Sequence, residues 1–215
     1  MRSRTCLETQ PAPAIMEPTM SDRIFLVSDD DTLKPMDAAP YAKEDVLQRL
    51  LERYPDLLAG EQVDPEDPRR WLLIKREAGI EHRGDDAHAW RLDHLFLDQD
   101  GVPTLVETKI AENPELRRKV VGQMLDYAAN ICEAWSVERI RTEFESTCEQ
   151  ADRPSDDTLR EHLTSEDADG DLIDDEAIER FWMSVKTNLE AGRLRLVFVA
   201  DHIPSSLLRI VEFLN

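Results

Sequence analysis

Apolar residues recur at helical spacing over Lys43–Arg53 (Val46, Leu47, Leu50, Leu51), and Pro55 ends that run, which predicts a first helix. Three segments then read as strands: Trp71–Arg76, Trp90–Leu97 and Val102–Lys109. Asn113 is placed to cap a second helix with Pro114 in its first position, and Leu116, Val120, Met124, Tyr127 and Ile131 draw an apolar stripe down it to about Cys132. Ser136–Phe144 reads as a shorter helix, Ala151–Glu176 as an acidic polar stretch, and Ala177–Leu189 as a helix carrying Phe181, Trp182 and Val185. Leu194–Ala200 is apolar enough for a strand inside a sheet. The last predicted helix, Ser206–Leu214, is apolar nearly all round and meets Asn215 without a polar cap, as expected of a chain that continues. Helix, three strands, helix, strand, helix predicts an α/β fold with a mixed central sheet flanked by helices.

Pro11, Pro13, Pro18 and Pro35 lie among scattered acids, so residues 1–40 read as a flexible tail with at most a docked strand at Ile24–Val27. Residues 41–215 then form one domain, with an acidic insertion at about 145–176. Of the 215 residues 41% are hydrophobic, enough for a core, and no window approaches the ~18 consecutive apolar residues of a membrane span. The opening Met-Arg-Ser-Arg lacks an apolar signal core. Cys6, Cys132 and Cys148 are odd in number without CxxC spacing, which argues against a zinc site and points to a reducing, cytoplasmic setting. The net charge is −20, and residues 131–191 hold 18 acidic against 6 basic side chains. That balance weighs against non-specific affinity for polyanions, although repulsion beyond about 8–10 Å is largely screened. Nucleic-acid contact then falls to local cations: Arg69, Arg70, Lys75 and Arg76 around one strand, and Arg117, Arg118 and Lys119 on a helix.

The chemistry concentrates in one hairpin. Asp98-Gln99-Asp100-Gly101 suits a three-residue loop closed by a left-handed glycine, which sets Asp98 opposite Val102 and, by counting back, Asp93 opposite Glu107. Period two puts Lys109 on the face of Glu107 and His94 on the face away from Asp93. Opposed residues have Cβ atoms ~4.5–5.5 Å apart, so the two carboxylates are expected to share a patch with an ammonium. Like charges across a ladder next to Leu95, Leu97 and Leu105 are costly. Three things can offset that cost: protonation of one acid, neutralisation by Lys109 and Arg91, or a divalent metal.

Asp93 followed by Glu107-Thr108-Lys109 resembles the acid and E-x-K signature of the PD-(D/E)XK nuclease superfamily, and Gln123 with Tyr127 resembles the Q-x-x-x-Y helix of some of its members. RLDHLFLDQDGVPTLVETK followed by RRKVVGQMLDYAAN is similar to uncharacterised bacterial members, and the resemblance runs from about Tyr41 to Asn215. Two positions depart from the pattern: Leu92 stands where proline is frequent, and Ile110 where a basic residue is expected. The resemblance implies a restriction-endonuclease-like core and a Mg²⁺-dependent nuclease (Mn²⁺ substituting), acting on DNA before RNA. It also implies Asp93, Glu107 and the Thr108 carbonyl as metal ligands, Glu44 completing the shell or holding a second ion, and Lys109 orienting and helping to deprotonate the attacking water. Gln123 and Tyr127 would position a phosphate, a water or a carboxylate, with Arg117, Arg118 and Lys119 on nucleic acid. The partner would be nucleic acid, not a membrane, and a homodimer is compatible. The alternative is a catalytically inactive nuclease-fold protein that binds nucleic acid or a protein partner.

A rival signal lies in Ser165, Asp167, Asp169, Gly170 and Glu176, which approach the spacing of a calcium loop. Ser165 replaces the usual first Asp, and the helix ahead, Asp157–Leu163, is short and polar.

Overall fold

The structure, a computed structural model, describes residues 24–27, 32–36, 43–80, 90–110, 116–164 and 173–214, the side chains of 24, 25, 80, 90 and 116–118 excepted. It divides into two compact units, Met1–Ala39 and Pro40–Asn215. In the first, β1 (Ile24–Val27) pairs antiparallel with β2 (Leu33–Met36). The tail reading expected at most one strand there, the apolar run at Ile24–Val27. In a two-stranded ribbon each strand is an edge, and a proline without an N–H is tolerated.

The second unit runs α1 (Glu44–Arg53), a 3₁₀ turn (Pro55–Leu58), α2 (Gly60–Val63), β3 (Leu72–Ile80), β4 (Trp90–Leu97) and β5 (Pro103–Lys109). It continues with α3 (Leu116–Ala134), α4 (Val137–Gln150), α5 (Ser155–Leu163), α6 (Asp175–Glu190), β6 (Arg195–Ala200) and α7 (Ser205–Leu214). The sheet order is β3-β4-β5-β6, an antiparallel meander extended by a parallel strand, so the mixed sheet flanked by helices is what the chain builds.

The two sheet faces have separate cores. On one, Leu51 of α1 and Leu58 pack with Trp71, Phe96 and Val106. On the other, Met124, Tyr127 and Ile131 of α3, Ile140 and Phe144 of α4, and Phe181, Trp182 and Val185 of α6 cover Leu72, Leu95, Leu97 and Leu105. Gly101 closes the β4–β5 turn at φ 72° with its N–H on the Asp98 carbonyl, as the loop composition predicts. A Cβ there would stand 2.9 Å from the Val185 amide of α6, so the glycine answers both to the left-handed backbone and to close packing.

One strand boundary needs correction. β3 runs on to Ile80 rather than ending at Arg76: Ala78 and Gly79 have little strand propensity but pair with Leu92 and Arg91, and Ile80 follows them opposite Trp90, so pairing overrides propensity. Part of the acidic stretch from 145 to 176 is helical. α4 continues to Gln150, and α5 is anchored by Leu159, 2% exposed, with Leu163 packed beside the same core. The calcium-loop positions 165–172 fall outside the described residues, and Glu176 sits in the first turn of α6, paired with Arg180. Among the described residues no helix is long and apolar enough to cross a membrane. α7 buries Leu207 and leaves Leu208, Phe213 and Leu214 exposed.

Candidate active site

The β4–β5 ladder pairs Leu97 with Pro103, Phe96 with Thr104, Leu95 with Leu105 and His94 with Val106, which is the predicted register. The expected next pair, Asp93 opposite Glu107, is not part of it. At that step the Asp93 carboxylate takes over the ladder's role: Oδ2 accepts from the Thr108 N–H and from Thr108 Oγ1, both at 2.7 Å. The strands fork here, and the pleat is broken beside the fork. Glu77, the residue across from Asp93 on β3, has φ 53°. Leu92 and Leu95 both enter the α3-side core, whereas strict alternation would send them to opposite faces.

That break turns Asp93 toward α1. Its Oδ1 accepts from Gln48 Nε2 at 2.8 Å, while Glu107 Oε1 accepts from Gln123 Nε2 of α3 at 3.2 Å. Asp93 and Glu107 are therefore not a bonded pair of the ladder: one carboxylate is held by α1 and Thr108, the other by α3. The same break undoes the separation of His94 from Asp93: His94 Nε2 meets the Gln48 carbonyl at 2.9 Å, so both residues contact one residue of α1. His94 is fully buried, burial holds its imidazole below the ordinary value, and its service is to pin α1 to β4.

Lys109 joins the two sides. Its Nζ lies 2.9 Å from the Thr108 carbonyl, 2.9 Å from Glu107 Oε1 and 3.5 Å from Glu44 Oε2 on α1. Arg91, the other expected neutraliser, is exposed and pairs with Glu77. Glu107 is 2% exposed, and its Oε2 is buried without a hydrogen-bond partner. Burial first, then the charge of Asp93, pushes its carboxyl up to about 7, against the opposing pull of Lys109. For Lys109 burial works against the ammonium, but the bond to Glu107 and the charges of Glu107, Asp93 and Glu44 prevail and raise its pKa. Gln123 also donates to the Tyr127 hydroxyl, which donates to the Arg91 carbonyl at 3.0 Å, so α3 is tied to β4 and β5 at one point.

Seven expected site residues, Glu44, Asp93, Glu107, Thr108, Lys109, Gln123 and Tyr127, thus belong to one bonded network. Lys119 is exposed, and the Arg117 and Arg118 side chains lie outside the described set. The other basic cluster is engaged internally: Arg69 with Asp64, Asp67 and Asp100, Lys75 with Glu143, and Arg76 with Asp45 and Glu52. A cavity of about 790 Å³ lies at the outer side of β3, lined by Trp71, Arg76, Phe144 and His162 but by none of Asp93, Glu107 and Lys109. Sequence reasoning missed Gln48. The signal was its spacing, four residues after Glu44 and so on the same helix face.

Among the described residues no group of three or more His, Cys, Asp or Glu side chains is arranged to hold an ion. A third donor must then come from the backbone, and the Thr108 carbonyl is the one at hand. The donors are all oxygen, as a hard cation requires. Glu107 offers an unpartnered oxygen, and Asp93 Oδ1, which accepts from Gln48, retains acceptor capacity. Mg²⁺ would find donors of suitable chemistry here, while the Lys109 ammonium is bonded to two of those residues, at Glu107 Oε1 and the Thr108 carbonyl. Comparison with family models, curated proteins and solved structures finds no match to this chain.

Proposed function

We propose that the Pro40–Asn215 unit is a restriction-endonuclease-like phosphodiesterase that hydrolyses nucleic acid, DNA in preference to RNA, with Mg²⁺ or Mn²⁺. The observation that carries the proposal is the buried, partnerless Glu107 oxygen beside a lysine and across a strand fork from a second carboxylate. An apolar-side carboxylate with an empty acceptor is costly unless a cation or proton arrives. A divalent ion held by Asp93, Glu107 and the Thr108 carbonyl supplies Lewis acidity toward a phosphate oxygen. The chain supplies the rest. Thr108 and Gln48 fix Asp93, Gln123 fixes Glu107, and Tyr127 fixes Gln123 through the Arg91 carbonyl. Lys109, which lies against Glu107 and Glu44, would orient the attacking water and stabilise charge on the scissile phosphate. The proposed compartment is the cytoplasm, in keeping with free thiols at Cys132 and Cys148.

Cleavage of plasmid and single-stranded DNA with Mg²⁺, Mn²⁺, Ca²⁺ or EDTA tests this, with Asp93→Ala and Lys109→Ala beside the wild type. Nicking that needs Mg²⁺ or Mn²⁺ and disappears in both variants supports the proposal; equal nicking by all three proteins refutes it. One observation favours the second reading, a nuclease fold that binds without cutting: Lys109 already neutralises Glu107 and Glu44 and caps the Thr108 carbonyl. Inertness in every metal together with DNA binding would support that reading.

A further inference from the structure

We infer that Gln48 is a positioning residue that fixes the orientation of the Asp93 carboxylate for cation binding. The inference rests on the metal-site reading above. Gln48 is 8% exposed on α1, and its side chain is held at both ends. Its Oε1 accepts from Arg76 Nη2 at 3.3 Å, and its Nε2 donates to Asp93 Oδ1 at 2.8 Å. Arg76 has donors only, so the amide oxygen must face it and the amide nitrogen must face Asp93. Arg76 is itself fixed by Asp45 and Glu52 on α1, so the orientation of Gln48 is set by groups outside the site. The helix is located independently of that side chain, because His94 Nε2 bonds the Gln48 main-chain carbonyl.

Asp93 needs such a clamp because it lies past the last ladder pair. Thr108 holds only Oδ2, and a carboxylate held at one oxygen can still rotate about that contact. The Gln48 donor fixes Oδ1 and leaves it further acceptor capacity for a cation. Partners that orient a metal ligand typically change affinity or activity by about 10–100-fold when removed.

The test uses the full chain and Mn²⁺ as the probe, with binding followed by electron paramagnetic resonance, folding by thermal melting and DNA cleavage beside them. Gln48→Leu keeps the bulk and removes the donor; Gln48→Glu keeps the shape but offers only acceptors. Both are expected to weaken Mn²⁺ binding and lower kcat by about 10-fold or more. The Mn²⁺ dependence identifies the positioning role, since loss of packing alone would shift the melting temperature without changing the affinity of the folded protein. In an Asp93→Asn background, Gln48→Leu is expected to change Mn²⁺ affinity less than about twofold, because the carboxylate it would orient is gone. Unchanged Mn²⁺ affinity in Gln48→Leu or full function in Gln48→Glu overturns the role of Gln48 alone. A wild type that binds no Mn²⁺ overturns the metal-site reading and this inference with it.

Discussion

Replacing Glu107 with glutamine is expected to stabilise the metal-free protein at alkaline pH and to leave it unchanged in acid. Glu107 is 2% exposed, one of its oxygens lacks a partner, and its carboxyl is pushed from an ordinary 4.5 up to about 7. Between those values the folded chain holds a proton that the unfolded chain has released, so stability falls as pH rises across that window and levels off above the folded value. At ~1.36 kcal/mol per pH unit the gap from 4.5 to about 7 amounts to at most roughly 3 kcal/mol. Glutamine is neutral throughout and keeps an oxygen for Lys109, so the variant escapes the loss. Groups that do not touch Glu107 act alike in both proteins and cancel in the difference, and Lys109 stays charged in both across the range below. Thermal melts in EDTA from pH 4.5 to 8.5 should show the two melting temperatures diverging from near coincidence to about 6–12 °C, at roughly 2–4 °C per kcal/mol for a domain of this size. A difference that stays constant across this range, or a variant less stable than wild type at pH 8, would refute the account of Glu107.

Lys109→Met should bind Mn²⁺ at least about tenfold tighter than wild type in calorimetric titration, since the ammonium no longer competes for Glu107 and the Thr108 carbonyl, while DNA cleavage drops by about 100-fold. Tyr127→Phe removes the part-buried bond to the Arg91 carbonyl, which should cost about 1 kcal/mol in urea unfolding and lower kcat more than it changes KM. Gly101→Ala meets both a left-handed backbone and the Val185 amide at 2.9 Å, so a loss of about 1–3 kcal/mol is expected by the same measurement.

Much of the fold was legible because the signals were local. Trp90–Leu97 alternates and is bounded by a loop with glycine in its closing place, and the strand begins and ends where that pattern does. The register to Val106 followed from turn chemistry alone. What failed was extrapolation past the last bonded pair. Asp93 takes its partners beside an irregularity at Glu77, and nothing in the residue types around Glu77 announces a left-handed backbone there. Membership of the site was readable from spacing, whereas its arrangement depends on α1, whose docking is a long-range matter of Leu51 against Phe96 and Val106. Gln48 was hidden for that reason: a glutamine among the apolar positions of an amphipathic helix gains meaning only once Arg76 and Asp93 are brought to either side of it.

The claim on which the account turns is that a divalent cation is held at the β4–β5 fork. Anomalous diffraction from crystals soaked in Mn²⁺ tests it most directly. The account predicts one strong peak bonded to Glu107 Oε2 and an Asp93 oxygen, with the Lys109 ammonium withdrawn from Glu107. A fork without a peak, with Lys109 still bridging Glu107 and Glu44, would contradict it.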